Sequence, residues 1–240
     1  MIVFSDLDGT LTKDGMISRA FFDVLDLIEQ NNSELVIVSG RSLSWGHFLL
    51  THFPLRSAIM EAGGVILNKC ENGLIKHEAL VEEDSITKMR SLTEELLKEH
   101  PGTILSPDSM GRLVDRAFEY HYMSEKEAQG AEQFLEKNNV EHVKSSVHVN
   151  FWIGEVSKYK GVKTFLEKFR PDVPINECLY FGDSLNDVPM FEKFPNSIGV
   201  ANISKVINAI PHRPKVILEG KENEEISGVY SYLSSFFSKS

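Results

Sequence analysis

The chain has 240 residues, 42% of them hydrophobic and 25% charged, which is typical of a folded globular protein with one large domain or two small ones. It carries 25 basic and 35 acidic residues, a formal net charge of −10, which argues against general binding to nucleic acids or anionic membranes. Cys70 and Cys178 lie in unrelated contexts, so we expect neither a disulfide framework nor a zinc site. Without a secretory signal pattern or an apolar stretch of membrane-spanning length, we expect a cytoplasmic protein.

Strand-like and helix-like segments alternate at both ends of the chain. The predicted elements are strand 2–4, helix 18–30, strand 35–38 and helix 44–52, then helix 158–169, strand 178–181, a short helix after Asn186, and strands 197–200 and 215–218. This alternation is typical of βαβ units. It predicts an α/β fold in which both ends of the chain build one Rossmann-like parallel sheet, and an apolar stripe over residues 222–237 predicts a further core helix.

The middle of the chain has a different pattern. The predicted elements are a hairpin of strands 65–67 and 74–76 turning at Asn72-Gly73, helix 84–100 ended by Pro101-Gly102, strand 113–123, helix 124–137, and strands 140–143 and 147–153. We interpret this as a small α+β unit inserted into the α/β domain. The predicted bounds are 1–82 and 157–240 for the core domain and 83–156 for the inserted unit.

Two acidic motifs follow predicted strands of the sheet. Asp6-Leu7-Asp8-Gly9-Thr10 comes after the first strand and Gly182-Asp183-Ser184-Leu185-Asn186-Asp187 after a later one. Each motif alone is also compatible with a polar turn, in which Asp187 would be a helix N-cap. Because the ends of parallel strands meet at one sheet edge, the two acidic groups would repel each other unless a cation lay between them. Together they predict a divalent metal site.

Two other segments are candidates for binding phosphate. Ser39-Gly40-Arg41 follows the second strand and combines a hydroxyl, a glycine and the N–H groups of a helix start, although a simple turn and N-cap would have the same pattern. Lys160, at the start of a predicted helix, could neutralise a phosphate oxygen, and Lys158 is a near competitor. A solvated lysine at a helix start is the common alternative.

The segments DLDGT, SGR, KG and GDSLND, in this order, resemble the four motifs of the haloacid dehalogenase-like phosphatases. The resemblance covers the whole chain, and the inserted unit lies between the second and third motifs, as in members with a type IIB cap, many of which act on sugar phosphates. This likeness implies a Mg²⁺-dependent phosphatase that acts on a small phosphorylated molecule. The inserted unit would be a cap that closes over the site and contacts the leaving group.

The resemblance also implies roles for individual residues. Asp6 would be the nucleophile that forms an aspartyl-phosphate, and Asp8 the general acid and base. Mg²⁺ would be held by Asp6, the backbone carbonyl of Asp8 and Asp183, with Asp187 in support. The phosphate would contact the set Ser39, Gly40, Lys160 and Asn186. Glu61-Ala62-Gly63-Gly64 departs from the Asn-Gly-Ala found in many type IIB members, so we assign no role there.

Polar residues on the predicted strands of the inserted unit are candidates for contact with the leaving group. They are Arg112, Arg116, His148 and Asn150. A polar substrate needs hydrogen-bonding groups that face the cleft, but alternating polar residues also mark the solvent face of a sheet.

Three other functions are compatible with parts of the pattern. A phosphosugar mutase of the same superfamily would use the same aspartyl-phosphate, and a non-catalytic phosphate-binding protein could retain the fold. A calcium-binding EF-hand loop needs Gly at its sixth position and Glu at its twelfth. Counted from Asp6, these positions hold Leu11 and Ile17, which disfavours that reading.

Overall fold

Two β-sheets organise the chain in the computed structural model, which describes residues 1–144 and 148–239. In chain order the strands are β1 (Ile2–Ser5), β2 (Glu34–Val38), β3 (Ser57–Met60), β4 (Val65–Lys69), β5 (Ile75–Ala79), β6 (Asp115–Phe118), β7 (Glu141–Lys144), β8 (Val149–Trp152), β9 (Leu179–Gly182), β10 (Ser197–Gly199) and β11 (Val216–Ile217). The helices are α1 (Arg19–Gln30), α2 (Leu43–His52), α3 (Glu83–Glu99), α4 (Glu125–Lys137), α5 (Lys158–Phe169), α6 (Val188–Lys193) and α7 (Glu225–Phe237).

The larger sheet has eight strands in the order β11-β10-β9-β1-β2-β3-β4-β5. Strands β11 to β3 are parallel, and β4 pairs antiparallel with β3 and with β5. β1 lies between β2 and β9, so segments from the two ends of the chain meet in the middle of the sheet. This arrangement confirms the predicted α/β class, with the predicted hairpin as an antiparallel edge.

Apolar residues fill both faces of the larger sheet, as expected for parallel strands covered by helices. Val3 points to a core shared with α1 and α7, where Val24 and Val229 are fully buried. The next residue, Phe4, points to the opposite core, where its ring packs edge-on against Phe165 and Phe194 at centroid distances of 5.9 and 6.1 Å. Because side chains alternate along β1, this one strand packs against the helices on both faces of the sheet.

The smaller sheet has the order β6-β8-β7, and its strands are antiparallel. Helices α3 and α4 cover one of its faces, where Phe118 and Phe151 pack with Met89 and Leu135. Asn150 and Trp152 alternate with these residues and belong to the other face. All these elements lie within residues 83–156, and we propose those bounds for the inserted unit, called the cap below.

Several element bounds differ from the predictions. β3 was not predicted, because its four residues Ser-Ala-Ile-Met show no alternation and are all buried. The predicted strand 113–123 is reduced to β6, since Glu119 leaves the extended conformation and a 3₁₀ turn follows over Tyr120–Tyr122. The predicted strand 147–153 corresponds to β8, and its first residue, Val147, lies outside the described residues. Within residues 1–144 and 148–239, no helix is long and apolar enough to cross a membrane.

We expect Phe4→Ala to lower the free energy of unfolding by about 3 to 5 kcal/mol, because it removes a fully buried ring from the core between the larger sheet and α5. The matched control is Phe22→Ala on α1, where the ring is 50% exposed and the expected loss is about 1 kcal/mol or less. Urea denaturation of the two variants checks the comparison. Equal losses would contradict the described packing of β1.

Candidate active site

Three buried carboxylates meet where β1 and β9 end. Asp6 follows β1, Asp183 follows β9, and the two strands are paired neighbours with Ser5 opposite Phe181. The N–H of Asp6 donates to the carbonyl of Phe181 at 2.9 Å, which continues the ladder one residue further. Asp6, Asp183 and Asp187 each offer a carboxylate oxygen, and these atoms lie within 4.8 Å of one another. The structure thus brings together the two acidic motifs found in the sequence.

Asp183 is oriented by two donors from other strand ends. The Thr10 hydroxyl donates to Oδ1 at 3.1 Å, and the Asn202 amide donates to Oδ2 at 2.8 Å. Gly9 has a φ of +76°, and a Cβ there would lie 2.4 Å from Asp183 Oδ2, so this turn requires glycine. Asn202 was missed by the sequence analysis. Its position just after β10, at the same sheet edge, is the signal that could have found it.

Asp187 holds the loop that carries Asp183. Its Oδ2 accepts the backbone N–H groups of Asp183 and Ser184 at 2.8 and 3.0 Å. Its Oδ1 accepts the Lys158 ammonium at 2.6 Å and also the Tyr180 hydroxyl. These contacts fix the carboxylate within the acidic cluster, and its supporting role toward a metal stays a prediction. Asn186, beside it, is half-buried, and its Oδ1 accepts the Ser184 hydroxyl at 2.9 Å.

Lys158 is the cation of the acidic cluster. Its Nζ is fully buried, 2.9 Å from Asp6 Oδ1 and 2.6 Å from Asp187 Oδ1. Burial lowers the pKa of Lys158, but Asp187 and Asp6 more than offset this, and the net shift is upward. The ammonium therefore stays charged at neutral pH.

Lys160 lies elsewhere, and its predicted place in the site is corrected. Its side chain is 43% exposed, and its Nζ donates to the carbonyl of Glu155 at 2.9 Å. Both lysines are in the first turn of α5. A step of two residues turns a side chain by about 200° around a helix, so the two point in opposite directions.

The acidic cluster has too little positive charge of its own. Burial raises the pKa of Asp6 to about 7, since repulsion from Asp187 adds to burial and Lys158 only partly opposes them. Burial and the charges of Asp6 and Asp187 raise the pKa of Asp183 well above its usual range. Carboxylate oxygens are the ligands that Mg²⁺ prefers. Asp6 and Asp183 therefore fit a Mg²⁺ ion, which would supply the missing charge.

Asp8 and Arg41 form a bidentate ion pair beside the acidic cluster. Arg41 Nε and Nη2 lie 2.9 and 2.7 Å from the two Asp8 oxygens, and the side chains are 21% and 20% exposed. The hydrogen bond to Asp8 raises the pKa of Arg41, whose guanidinium also lies 5.0 Å from the centre of the Trp45 ring. Asp8, two residues beyond Asp6, is thus held by Arg41. Arg41 was predicted only as part of the Ser39 segment.

The Ser39-Gly40 segment lies between the sheet edge and the cap. Ser39 is buried after β2, and its hydroxyl oxygen accepts the N–H of Arg41 at 3.1 Å. The carbonyl of Gly40 accepts two cap side chains, Arg112 Nη1 at 3.1 Å and Asn150 Nδ2 at 3.2 Å. The cap therefore contacts the predicted phosphate-binding segment directly, through the carbonyl of Gly40.

Arg112 and Asn150 bind protein groups at the cap–core interface. Arg112 is buried and also donates to both oxygens of Asp115, at 2.8 and 2.9 Å, and to Asp108. Burial alone would lower the pKa of Arg112, but Asp115 and Asp108 raise it above its ordinary value. Asn150 donates to Asp115 Oδ2 at 2.9 Å. In this structure both side chains are engaged by protein groups, and their predicted contact with substrate stays a prediction.

The other two predicted cap residues, Arg116 and His148, have different surroundings. Arg116 is opposite Phe151 on β8 and so shares the face covered by α3, and its Nη1 donates to the carbonyls of Arg112 and Asp115. The prediction that it faces the cleft is wrong, because the strand register places Asp115 on that side. His148 Nε2 lies 3.4 Å from Glu119 Oε1. Burial and the nearby charges of Arg112 and Arg41 lower the pKa of His148 to about 4.

A family model described as haloacid dehalogenase-like hydrolase matches residues 3–103 and 118–233 of this chain. A phosphoglycolate phosphatase from Nitrosopumilus maritimus is 23% identical over 206 residues, which cover 83% of this chain and 82% of the relative. The solved structure of the Thermoplasma acidophilum protein 0175 covers 97% of both chains at 20% identity, with a TM-score of 0.76. A sucrose-phosphatase structure from Synechocystis, solved with sucrose and phosphate, covers 99% of this chain and 98% of its own at 16% identity and a TM-score of 0.68. These structural likenesses show a shared fold.

We expect Lys158→Met to lower the free energy of unfolding by about 3 to 5 kcal/mol in metal-free buffer, because it leaves buried carboxylates without their ammonium partner. Lys160→Met is the matched control, with an expected change within about 0.5 kcal/mol. Urea denaturation measures both. A larger loss in the Lys160 variant would contradict the assignment of Lys158 to the cluster.

We expect acidification to destabilise the protein through His148. The folded state takes up this proton near pH 4 and the unfolded state near the ordinary pKa of 6.5, so stability falls as pH falls between these values. Relative to His148→Gln, the wild type should lose up to about 3 kcal/mol more between pH 7 and pH 4. Urea denaturation across this range tests it, and parallel curves for the two proteins would contradict it.

Proposed function

Because the chain belongs to the haloacid dehalogenase-like hydrolase family, we propose that it is a Mg²⁺-dependent phosphomonoesterase that acts through an aspartyl-phosphate on Asp6. The family resemblance predicted from the four motifs is thereby confirmed. The observation that carries the proposal is the buried Asp6 carboxylate, placed between Lys158 and the Asp183 loop with Asp8 two residues away. This arrangement combines a nucleophile, a cation and a second carboxylate in one cleft.

Asp6 is held for attack through one of its oxygens. Oδ1 accepts the N–H of Leu7 at 2.8 Å and the Lys158 ammonium at 2.9 Å. Because both donors meet Oδ1, we assign the attack to Oδ2. Asp8 must first leave its ion pair with Arg41 and take up a proton. A bond then forms between Oδ2 and phosphorus while the bond from phosphorus to the leaving oxygen breaks, and that oxygen receives the proton of Asp8. Water then attacks the aspartyl-phosphate, Asp8 takes up its proton, and inorganic phosphate leaves.

Positive groups must surround the phosphate, because a phosphate dianion repels an approaching carboxylate. When held by Asp6, the Asp8 carbonyl and Asp183, Mg²⁺ would supply most of that charge. Lys158, already beside Asp6, takes the phosphate role that was predicted for Lys160. The Ser39 hydroxyl and the backbone of Gly40 line the adjoining cradle, and Asn186 remains our candidate for a contact beside the Asp183 loop.

We propose a sugar phosphate or a similar small polar phosphate as the substrate. The cap carries the polar pair His148 and Glu119, 3.4 Å apart, and the charges of Arg41 and Asp8 act on His148, so this pair lies on the side of the cap near the proposed site. A phosphoglycolate phosphatase and a sucrose-phosphatase are among the similar proteins, and by their names both act on small polar phosphates. The excess of acidic residues fits a small anion bound by local positive charge better than a nucleic acid. A cytoplasmic location belongs to the same proposal.

The test is a screen of phosphorylated metabolites for phosphate release, with wild type, Asp6→Asn and Asp8→Asn in the presence of Mg²⁺. We expect Asp6→Asn to abolish turnover, because an amide cannot form the aspartyl-phosphate. Asp8→Asn should lower the rate about 10²- to 10⁴-fold through loss of the acid and base. EDTA should also stop wild-type turnover.

Asp23→Asn, on the exposed face of α1, is the control for a loss of charge alone and should keep full activity. Equal activity in wild type and Asp6→Asn would reject the nucleophile, and activity that survives EDTA would reject the metal site. Dependence on a bisphosphate activator, with the phosphoryl group returned to a sugar, would identify a mutase instead.

A further inference from the structure

Glu61 follows β3 in an unusual backbone conformation. Its φ is +53°, and the next two residues, Ala62 and Gly63, have φ values of +56° and +102°. Residues with a side chain rarely adopt this left-handed region, because it brings Cβ close to the backbone carbonyl. The turn persists because its backbone is held. The N–H of Glu61 donates to the carbonyl of Arg41 at 2.9 Å, and that of Ala62 donates to the carbonyl of Ser39 at 3.1 Å.

The Glu61 carboxylate is fully buried and joins two distant parts of the chain. Oε1 accepts the N–H of Leu43, in the first turn of α2, at 2.9 Å and that of Leu113 at 2.8 Å. Oε2 accepts the N–H groups of Val114 and Asp115 at 2.6 and 3.1 Å. The Glu61 side chain thus accepts backbone N–H groups from the start of α2, which follows the Ser39 segment, and from the backbone that leads into β6 of the cap.

The same two parts of the chain also contact each other directly at several residues. We call residues 39–44 the Ser39 loop and residues 108–115 the docking segment. Asp108 Oδ2 accepts the N–H of Ser42 at 3.2 Å, and Arg112 donates to the carbonyl of Gly40 at 3.1 Å. Gly111 comes so close that a Cβ on it would lie 2.2 Å from the Ser44 hydroxyl. Glu61 lies between the two segments and contacts both.

The docking segment gives the cap a third attachment to the core. The chain itself crosses between cap and core twice, near residues 80–83 and 153–157. Rotation about those two crossings is opposed by the Glu61 hydrogen bonds. We propose that Glu61 is a positioning residue that fixes the cap on the Ser39 loop, so that the cleft which selects the substrate is preformed. This inference rests on the proposed function, because selection is exerted on the leaving group of a phosphate ester.

Glutamine is the most informative replacement. It keeps the size of the side chain, but its NH₂ group would face backbone N–H donors in place of a second acceptor oxygen. Glu61→Gln should therefore loosen the docking segment without removing a group that contacts the phosphate. The matched control is Glu34→Gln at the start of β2, where the carboxylate accepts Arg170 at 2.8 and 2.9 Å at the opposite edge of the sheet.

Hydrogen exchange tests the anchor independently of any activity. In the wild type, the amides of Leu43, Leu113, Val114 and Asp115 should be protected from exchange. In Glu61→Gln they should exchange about 10- to 100-fold faster, while the amides of β1 and those of the Glu34→Gln control keep wild-type rates. Rapid exchange of these amides in the folded wild type would overturn the proposal.

Kinetics test the positioning role. The readout is the ratio of kcat/KM for the best metabolite of the screen to kcat/KM for p-nitrophenyl phosphate. We expect Glu61→Gln to lower this ratio about 10²-fold, while its affinity for Mg²⁺ stays at the wild-type value. Glu34→Gln should keep the wild-type ratio. An unchanged ratio in Glu61→Gln, together with faster exchange, would show a purely structural role and overturn the proposal.

A second variant covers the case in which Glu61→Gln does not fold. Asp108→Asn weakens the same docking from the cap side, at a residue whose side chain is 14% exposed. It should shift the exchange rates and the kinetic ratio in the same direction by a smaller factor. Wild-type values for both would overturn the proposal. If no phosphate ester is turned over by the wild type, the proposed function fails, and the exchange experiment still decides the anchor.

Discussion

The structure depends on the burial of three carboxylates around one ammonium group. Asp6, Asp183 and Asp187 are all removed from water, and Lys158 is the cation that the fold places among them. Buried like charges are costly unless they are paired or bound to a metal. The surrounding hydrogen bonds hold the carboxylates in place without cancelling their charge. The raised pKa values of Asp6 and Asp183 reflect burial together with this uncompensated repulsion, and a divalent cation bound among the carboxylates would relieve it.

The sequence predicted what depends on strand ends and local periodicity. The α/β class and the family are confirmed, and Asp6 and Asp183 meet because parallel neighbouring strands end at one edge. To apply that rule, only the position of each motif relative to its strand must be known. An apolar run such as Ile2-Val3-Phe4 marks the strand, and the motif follows it directly. The roles of the individual site residues remain predictions.

What the sequence did not predict depends on rotation and on distant partners. Lys158 and Lys160 differ by about 200° around a helix, and only the packing of α5 decides which one reaches Asp6. Arg116 does not lie on the predicted face, because the register of β6 against β8 pairs it with Phe151 on the opposite face. Glu61 was given no role because its segment departs from the family pattern, and its partners are backbone N–H groups of distant segments, which no sequence pattern marks.

The central place of β1 in the larger sheet also affects how the protein is made. Its partner β2 follows soon after it, but its other partner, β9, begins only at residue 179, beyond the whole cap. During translation one edge of β1 therefore stays unpaired until three quarters of the chain has left the ribosome. An unpaired apolar edge invites association with other chains. The cap elements all lie between residues 83 and 156, so they are complete earlier and can fold before Asp183 is present to join Asp6.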